Sequence, residues 1–156
     1  MAVFFNTAQL RAAGVNPAGT DVAAPTGPVT LEFDFDGTRL VTAATNTVDM
    51  FEIPAHCGVV VHGATVSNVR PGTATGTLAV HLGAAGAAGT AVTGLTGFNG
   101  AGAAGTRDVR LATAANTAAN GATPSFLKLA FGTTGFGAGR CRVRVFCTIL
   151  APAPAN

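Results

Sequence analysis

The 156-residue chain has no Trp, no Tyr and a single Lys, Lys128, and only 10% of its residues are charged. Without Trp or Tyr it lacks the usual platforms for stacking sugars and bases. With so few charges and 48% apolar residues it does not fit a disordered segment, which stays unfolded by low hydrophobicity and high net charge. The 21 Gly and 8 Pro exclude a long helical bundle. A net charge of +2 creates no field that would call for nucleic acid, so no nucleic-acid partner is expected. No apolar run reaches the length of a membrane span, so no membrane partner is expected either. The opening Met1-Ala-Val-Phe-Phe has neither the positive region nor the apolar stretch of a secretory signal.

Cysteine is scarce and odd in number: Cys57, Cys141 and Cys147. The last two are six residues apart in what reads as one strand, about 20 Å, too far to pair. An odd count with no disulfide framework points to synthesis in a reducing compartment.

What is present is period-two alternation, which sends alternate side chains to opposite faces of a sheet. Val29, Leu31, Phe33 and Phe35 alternate with Thr30, Glu32 and Asp34, and Asp36-Gly37 is a hairpin signal leading into a partner strand at Arg39 to Thr42. Val48 to Ile53 is a short strand stopped by Pro54, and Gly58 to Val69 a long one closed by Arg70-Pro71-Gly72, with Thr75 to Leu82 as its hairpin partner. Residues 83 to 106 are Gly, Ala and Thr with only Leu95 and Phe98 as large anchors, and read as a long loop with at most one edge strand. Strands at 107–113 and 125–131 follow, separated by the Ala/Asn/Gly stretch 114–124. In the last strand, Arg140 to Leu150, Cys141, Val143, Val145, Cys147 and Ile149 share one face while Arg140, Arg142 and Arg144 start the other.

The pattern predicts an all-β fold: an antiparallel, jelly-roll-like sandwich of about eight strands over 29–150. An extended arm over 1–28, helical at most at 6–13, precedes it, and a Pro/Ala tail over 151–156 follows. The expected core is Leu31, Phe33, Phe35, Val59, Val61, Leu78, Val80, Leu127, Leu129, Val143, Val145 and Ile149.

Three motifs invite a chemical reading. Asp34-Phe-Asp36-Gly-Thr38 spells the signature of haloacid-dehalogenase-type phosphatases, but the later acids, Asp49, Glu52 and Asp108, give no adjacent pair to hold Mg²⁺. Gly100-Ala-Gly102-Ala-Ala-Gly105 spells a dinucleotide fingerprint, yet a strand and not a helix follows it. His56, Cys57, His62 and His81 are of metal-ligand type but lack ligand spacing. With only Ser67 and Ser125 as serines, no nucleophile is set up either. The expectation is therefore no catalysis, no metal and no cofactor.

Seven acids and nine bases cannot cover the surface of a sandwich this size, so Ala, Thr, Gly and Asn must, and part of that surface is expected to be buried against other subunits. An apolar arm start at Val3, Phe4 and Phe5 is suited to fold on binding.

Three segments carry a resemblance: Val48-Asp-Met-Phe-Glu-Ile-Pro-Ala-His-Cys-Gly58-Val-Val-Val, Gly72-Thr-Ala-Thr-Gly-Thr-Leu-Ala-Val-His-Leu-Gly83 and Gly137-Ala-Gly-Arg-Cys-Arg-Val-Arg-Val-Phe-Cys147. Together they are similar to small structural proteins of tailed bacteriophages, several of them jelly-roll head decoration (cement) proteins, often trimeric. The chain departs from that pattern at His56-Cys57, where a second small residue is usual. The resemblance implies a homotrimer bound to the major capsid protein on the exterior of the virion. Val3, Phe4, Phe5 and Leu10 are the candidate anchors, and Arg140, Arg142 and Arg144 the candidate polar contacts. The alternative is the same sandwich as a virion binding module, a fibre base or a receptor- or carbohydrate-binding domain.

Overall fold

The computed structural model describes residues 28–38, 47–73, 76–119, 122–132 and 136–150. The arm with Val3, Phe4, Phe5 and Leu10, the expected 6–13 helix, the 39–42 strand and the tail lie outside them. The described residues form nine strands and no helix: β1 (Pro28–Asp36), β2 (Thr47–Ile53), β3 (Gly58–Arg70), β4 (Thr77–Gly83), β5 (Thr90–Ala91), β6 (Phe98–Asn99), β7 (Arg107–Ala119), β8 (Ser125–Phe131) and β9 (Arg140–Leu150).

All pairings are antiparallel. One sheet runs β1-β9-β3-β7 and the other β2-β8-β4-β5, with β6 also beside β4. The pairing is nested: first strand with last, β2 with β8, β3 with β7, and β4 with the short strands at the centre of the chain. That is a long hairpin rolled over itself, the jelly-roll arrangement in which sequential strands alternate between two sheets.

The nesting corrects two sequence readings. β3 and β4 are not a hairpin: β3 pairs with β7 and β9, β4 with β8. The corner after Arg70 crosses to the other sheet, held by Gly72 N–H to Gly100 O at 2.8 Å and Gly76 N–H to Thr73 O at 2.7 Å. β7 does not stop at 113 but runs to Ala119, because Gly58 to Val61 of β3 supply ladder partners to a stretch without strand propensity of its own. The 83–106 segment holds two two-residue strands, and both predicted anchors, Leu95 and Phe98, are fully buried.

Alternation fixes the core as expected: all twelve expected core residues are buried, and Cys141, Val143, Val145, Cys147 and Ile149 line one face of β9. At one end of the core Phe35, Phe131 and Phe136 pack with ring centroids 5.0, 5.6 and 6.0 Å apart. Phe136 is clasped by three glycines: a Cβ would come within 2.4 Å of its ring at Gly72, 2.8 Å at Gly100 and 2.7 Å at Gly139. These three glycines thus serve close packing, which any larger side chain would break. The β2–β3 corner is a tight turn with Cys57 N–H on Pro54 O at 3.2 Å. His56 takes φ 62° there, a left-handed conformation that Gly and Asn adopt more readily.

Candidate interaction surface

The outward face of the β1-β9-β3-β7 sheet can be read row by row from the register. Asp34, Arg142, Ser67 and Arg107 form one row, Glu32, Arg144, Thr65 and Val109 the next, and Thr30, Phe146, Gly63 and Leu111 a third. The charges gather on β1 and β9 in the first two rows, and the apolar side chains Val109, Leu111 and Phe146 lie toward β7 and the third row.

On β1 and β9, Arg142 donates to both oxygens of Asp34, from Nε at 2.8 Å and Nη2 at 3.2 Å, and its Nε lies 3.2 Å from Glu32. Arg144 Nε donates to Glu32 at 2.5 Å. The hydrogen bond from Arg142, with the positive field of Arg142, Arg140 and Arg144, holds the Asp34 carboxyl below the ordinary aspartate range. At the end of β1, Asp36 Oδ1 accepts from Thr38 Oγ1 at 2.8 Å, Thr38 N–H at 3.0 Å and Arg70 Nη2 at 3.1 Å. Thr38 and then Arg70 lower its pKa too.

Toward β7 and the third row, Val109 is 56% and Leu111 72% exposed, with half-buried Phe146 beside them. β7 turns these apolar residues outward because its alternate residues tie down the 93–99 segment. Arg110 donates to Thr96 O at 2.7 Å and Gly97 O at 2.9 Å, stands 5.1 Å over the Phe98 ring and pairs with Asp108 at 3.0 Å. Asp108 in turn accepts from Asn99 N–H at 3.4 Å.

Of the predicted contact residues, Arg140, Arg142 and Arg144 do project together from one face of β9, with Arg142 and Arg144 bound to the acids of β1. Arg140 and Arg107 make no ion pair among the described residues. Val109, Leu111 and Phe146 were not singled out in the sequence. The signal for Val109 and Leu111 was Asp108 and Arg110, whose side chains are needed on the opposite face of β7, and for Phe146 its alternation with Arg142 and Arg144 along β9.

The chemical motifs resolve into structural roles. Asp34 and Asp36 serve the sheet edge and a turn. Gly102 packs against Asn68 of β3, whose Nδ2 donates to Asn99 O at 2.8 Å and Gly102 O at 3.1 Å, Gly105 N–H donates to Asn68 O at 2.7 Å, and Gly100 packs against Phe136. His62 faces Thr148 Oγ1 at 2.8 Å and His81 faces Ala88 O at 3.0 Å. Among the described residues no three His, Cys, Asp or Glu gather as metal ligands. Cys141 and Cys147 are buried free thiols whose pKa desolvation pushes up to about 12.

No protein-family model matches the chain, and no curated protein matches it in sequence. Its fold is similar to solved capsid chains. A chain in the capsid of Ralstonia phage GP4 superposes with a TM-score of 0.50 at 14% identity, over 82% of this chain and 86% of that one. A chain in the acidic stable capsid structure of Helicobacter pylori bacteriophage KHP30 gives 0.46 at 15% identity, over 81% and 89%. One in the cyanophage Pam1 capsid asymmetric unit gives 0.44 at 21%, over 88% and 98%. At these identities the likeness is one of fold.

Proposed function

We propose that this chain is a structural subunit of a phage virion, a decoration or cement protein that binds the major capsid protein on the outside of the head and stabilises it. The observation that carries this reading is the outward sheet face: Leu111 and Val109 stand in solvent beside a ladder of ion pairs, an arrangement suited to a subunit that assembles with others. The fold shared with a GP4 capsid chain supports it. In this reading Val3, Phe4, Phe5 and Leu10 anchor the subunit on the lattice, Arg140, Arg142 and Arg144 add polar contacts, and the subunit is a homotrimer. Stabilisation comes from apolar burial, at about 25 cal/mol per Å² before association costs.

The test is co-sedimentation of the purified chain with capsids assembled from the major capsid protein of the same phage. Saturable binding is expected, lost when residues 1–27 are deleted. Absence of binding by the full chain overturns the reading, and full occupancy by the truncated chain overturns the anchor.

A further inference from the structure

The two edges of the outward face differ in charge, with Glu32, Asp34 and Asp36 along β1 and Arg107, unpaired among the described residues, on β7, and this difference suits a second copy of the chain. We infer that the face of the β1-β9-β3-β7 sheet is where copies of this chain meet, facing inward around an axis parallel to the strands, with the β1 edge of one copy beside the β7 edge of the next. The inference rests on the reading of the chain as an assembling subunit and assigns the surface.

Charge sets the orientation. The β1 edge carries Glu32, Asp34 and Asp36, each already paired to an arginine of its own copy, and β1 against β1 would bring these acids together with no unpaired cation of the described residues between them. The β7 edge of the same face carries Arg107, exposed and without an ion pair among the described residues, followed by Val109 and Leu111. An axis parallel to the strands keeps the rows level between copies. Asp34 then meets Arg107 of the next copy, and Thr30 and Phe146 approach the row of Leu111 and Gly63. Gly63 leaves a dent there, since a Cβ on it would lie 2.7 Å from Arg110 O and 3.3 Å from Leu111 Cδ2.

Strand addition at β7 is already blocked. Thr113 N–H is taken by Thr93 O at 3.0 Å, and the 93–99 segment is strapped to β7 by Arg110 and Asp108. What β7 offers a neighbour is its side-chain face.

A cysteine pair tests the geometry on the full chain. Glu32→Cys with Val109→Cys puts one thiol at each edge of a single row. Within one copy they are three strand spacings apart, about 14 Å, beyond the roughly 7 Å limit between Cα atoms for a disulfide. Thr30→Cys with Arg107→Cys is two rows out of level and serves as the reference. On mild oxidation the level pair is expected to give closed covalent oligomers at least fivefold more than the reference pair, and Leu111→Asp to lower the native mass of the uncross-linked protein to that of one chain. Equal cross-linking by the two pairs overturns the proposed surface, whether the native mass is that of a trimer or of a monomer. Capsid co-sedimentation of the same double variant then separates the two claims: retained binding without level-specific cross-linking removes this surface and leaves the virion reading standing.

Discussion

Opposite charges line the outward rows of both sheets, in different surroundings. On β1 and β9, the side chains of Glu32, Asp34, Arg142 and Arg144 are between 40% and 46% exposed. On β2 and β8, Asp49 stands opposite Lys128 in the register and accepts from its Nζ, yet Lys128 is fully buried and Asp49 only 15% exposed. Lys128 points away from the core, since its neighbours Leu127 and Leu129 fill the inward row, and it lies 5.6 Å from the Phe126 ring. Water screens the first set and leaves its charges adaptable to a partner. The second set has lost its hydration and depends on its pairing. The difference divides the molecule into one outward face whose ion pair is buried and one whose ion pairs stand in solvent.

The largest effect should come from breaking the buried pair. Lys128→Ala leaves Asp49 without its cation and is expected to cost about 3–5 kcal/mol, read from urea unfolding followed by circular dichroism. Changing both partners, Lys128→Met with Asp49→Leu, sharpens the point: removing the charges together should return stability to within about 1 kcal/mol of wild type or above it. A double variant as weak as the single one would mean that the pair itself, and not the penalty of an orphaned charge, holds this face.

The two faces also differ in how far the sequence reveals them. Alternation marks the inward rows of β1 and β9 without ambiguity, because Leu31, Phe33 and Phe35, and Cys141 through Ile149, sit at period two between polar residues. The neighbour of each strand is invisible to alternation. β3 and β4 look like a hairpin across Arg70-Pro71-Gly72, and only the Gly72 and Gly76 hydrogen bonds show the chain crossing to the other sheet. Phe136 stands alone among glycines with no period to announce it, although those glycines shape its pocket. Lys128, in an alternating polar position, reads as solvated, and nothing local signals that Asp49, 79 residues earlier, takes its charge. On the outward face of the other sheet, the Arg140, Arg142 and Arg144 row is legible. Val109 and Leu111 are not, since periodicity alone turns them inward against Arg110 and Asp108.

Breaking the exposed ladder should matter far less. Arg144→Ala removes one pair to Glu32 and is expected to shift unfolding by at most about 1 kcal/mol, an effect that shrinks further in 1 M salt. A loss as large as that of Lys128→Ala would erase the distinction between the two faces.

The smallest expected effect lies in the acid response of the same ladder. The Asp34 carboxyl is held below the ordinary aspartate value of 3.8, first by its hydrogen bond from Arg142 and then by the surrounding arginines. A depressed folded-state pKa means that the unfolded chain takes up the proton first as pH falls. The contribution of Asp34 is therefore complete above 3.8 and is lost as pH drops through its folded value. Asp34→Asn cannot titrate, so the variant should be slightly less stable than wild type at pH 7, with the gap between their thermal midpoints closing toward pH 2. Circular dichroism melts across that range read the gap directly. A gap that stays constant with pH would show that Arg142 gains nothing from the charge on Asp34, and that the ladder on this face is held by its hydrogen bonds alone.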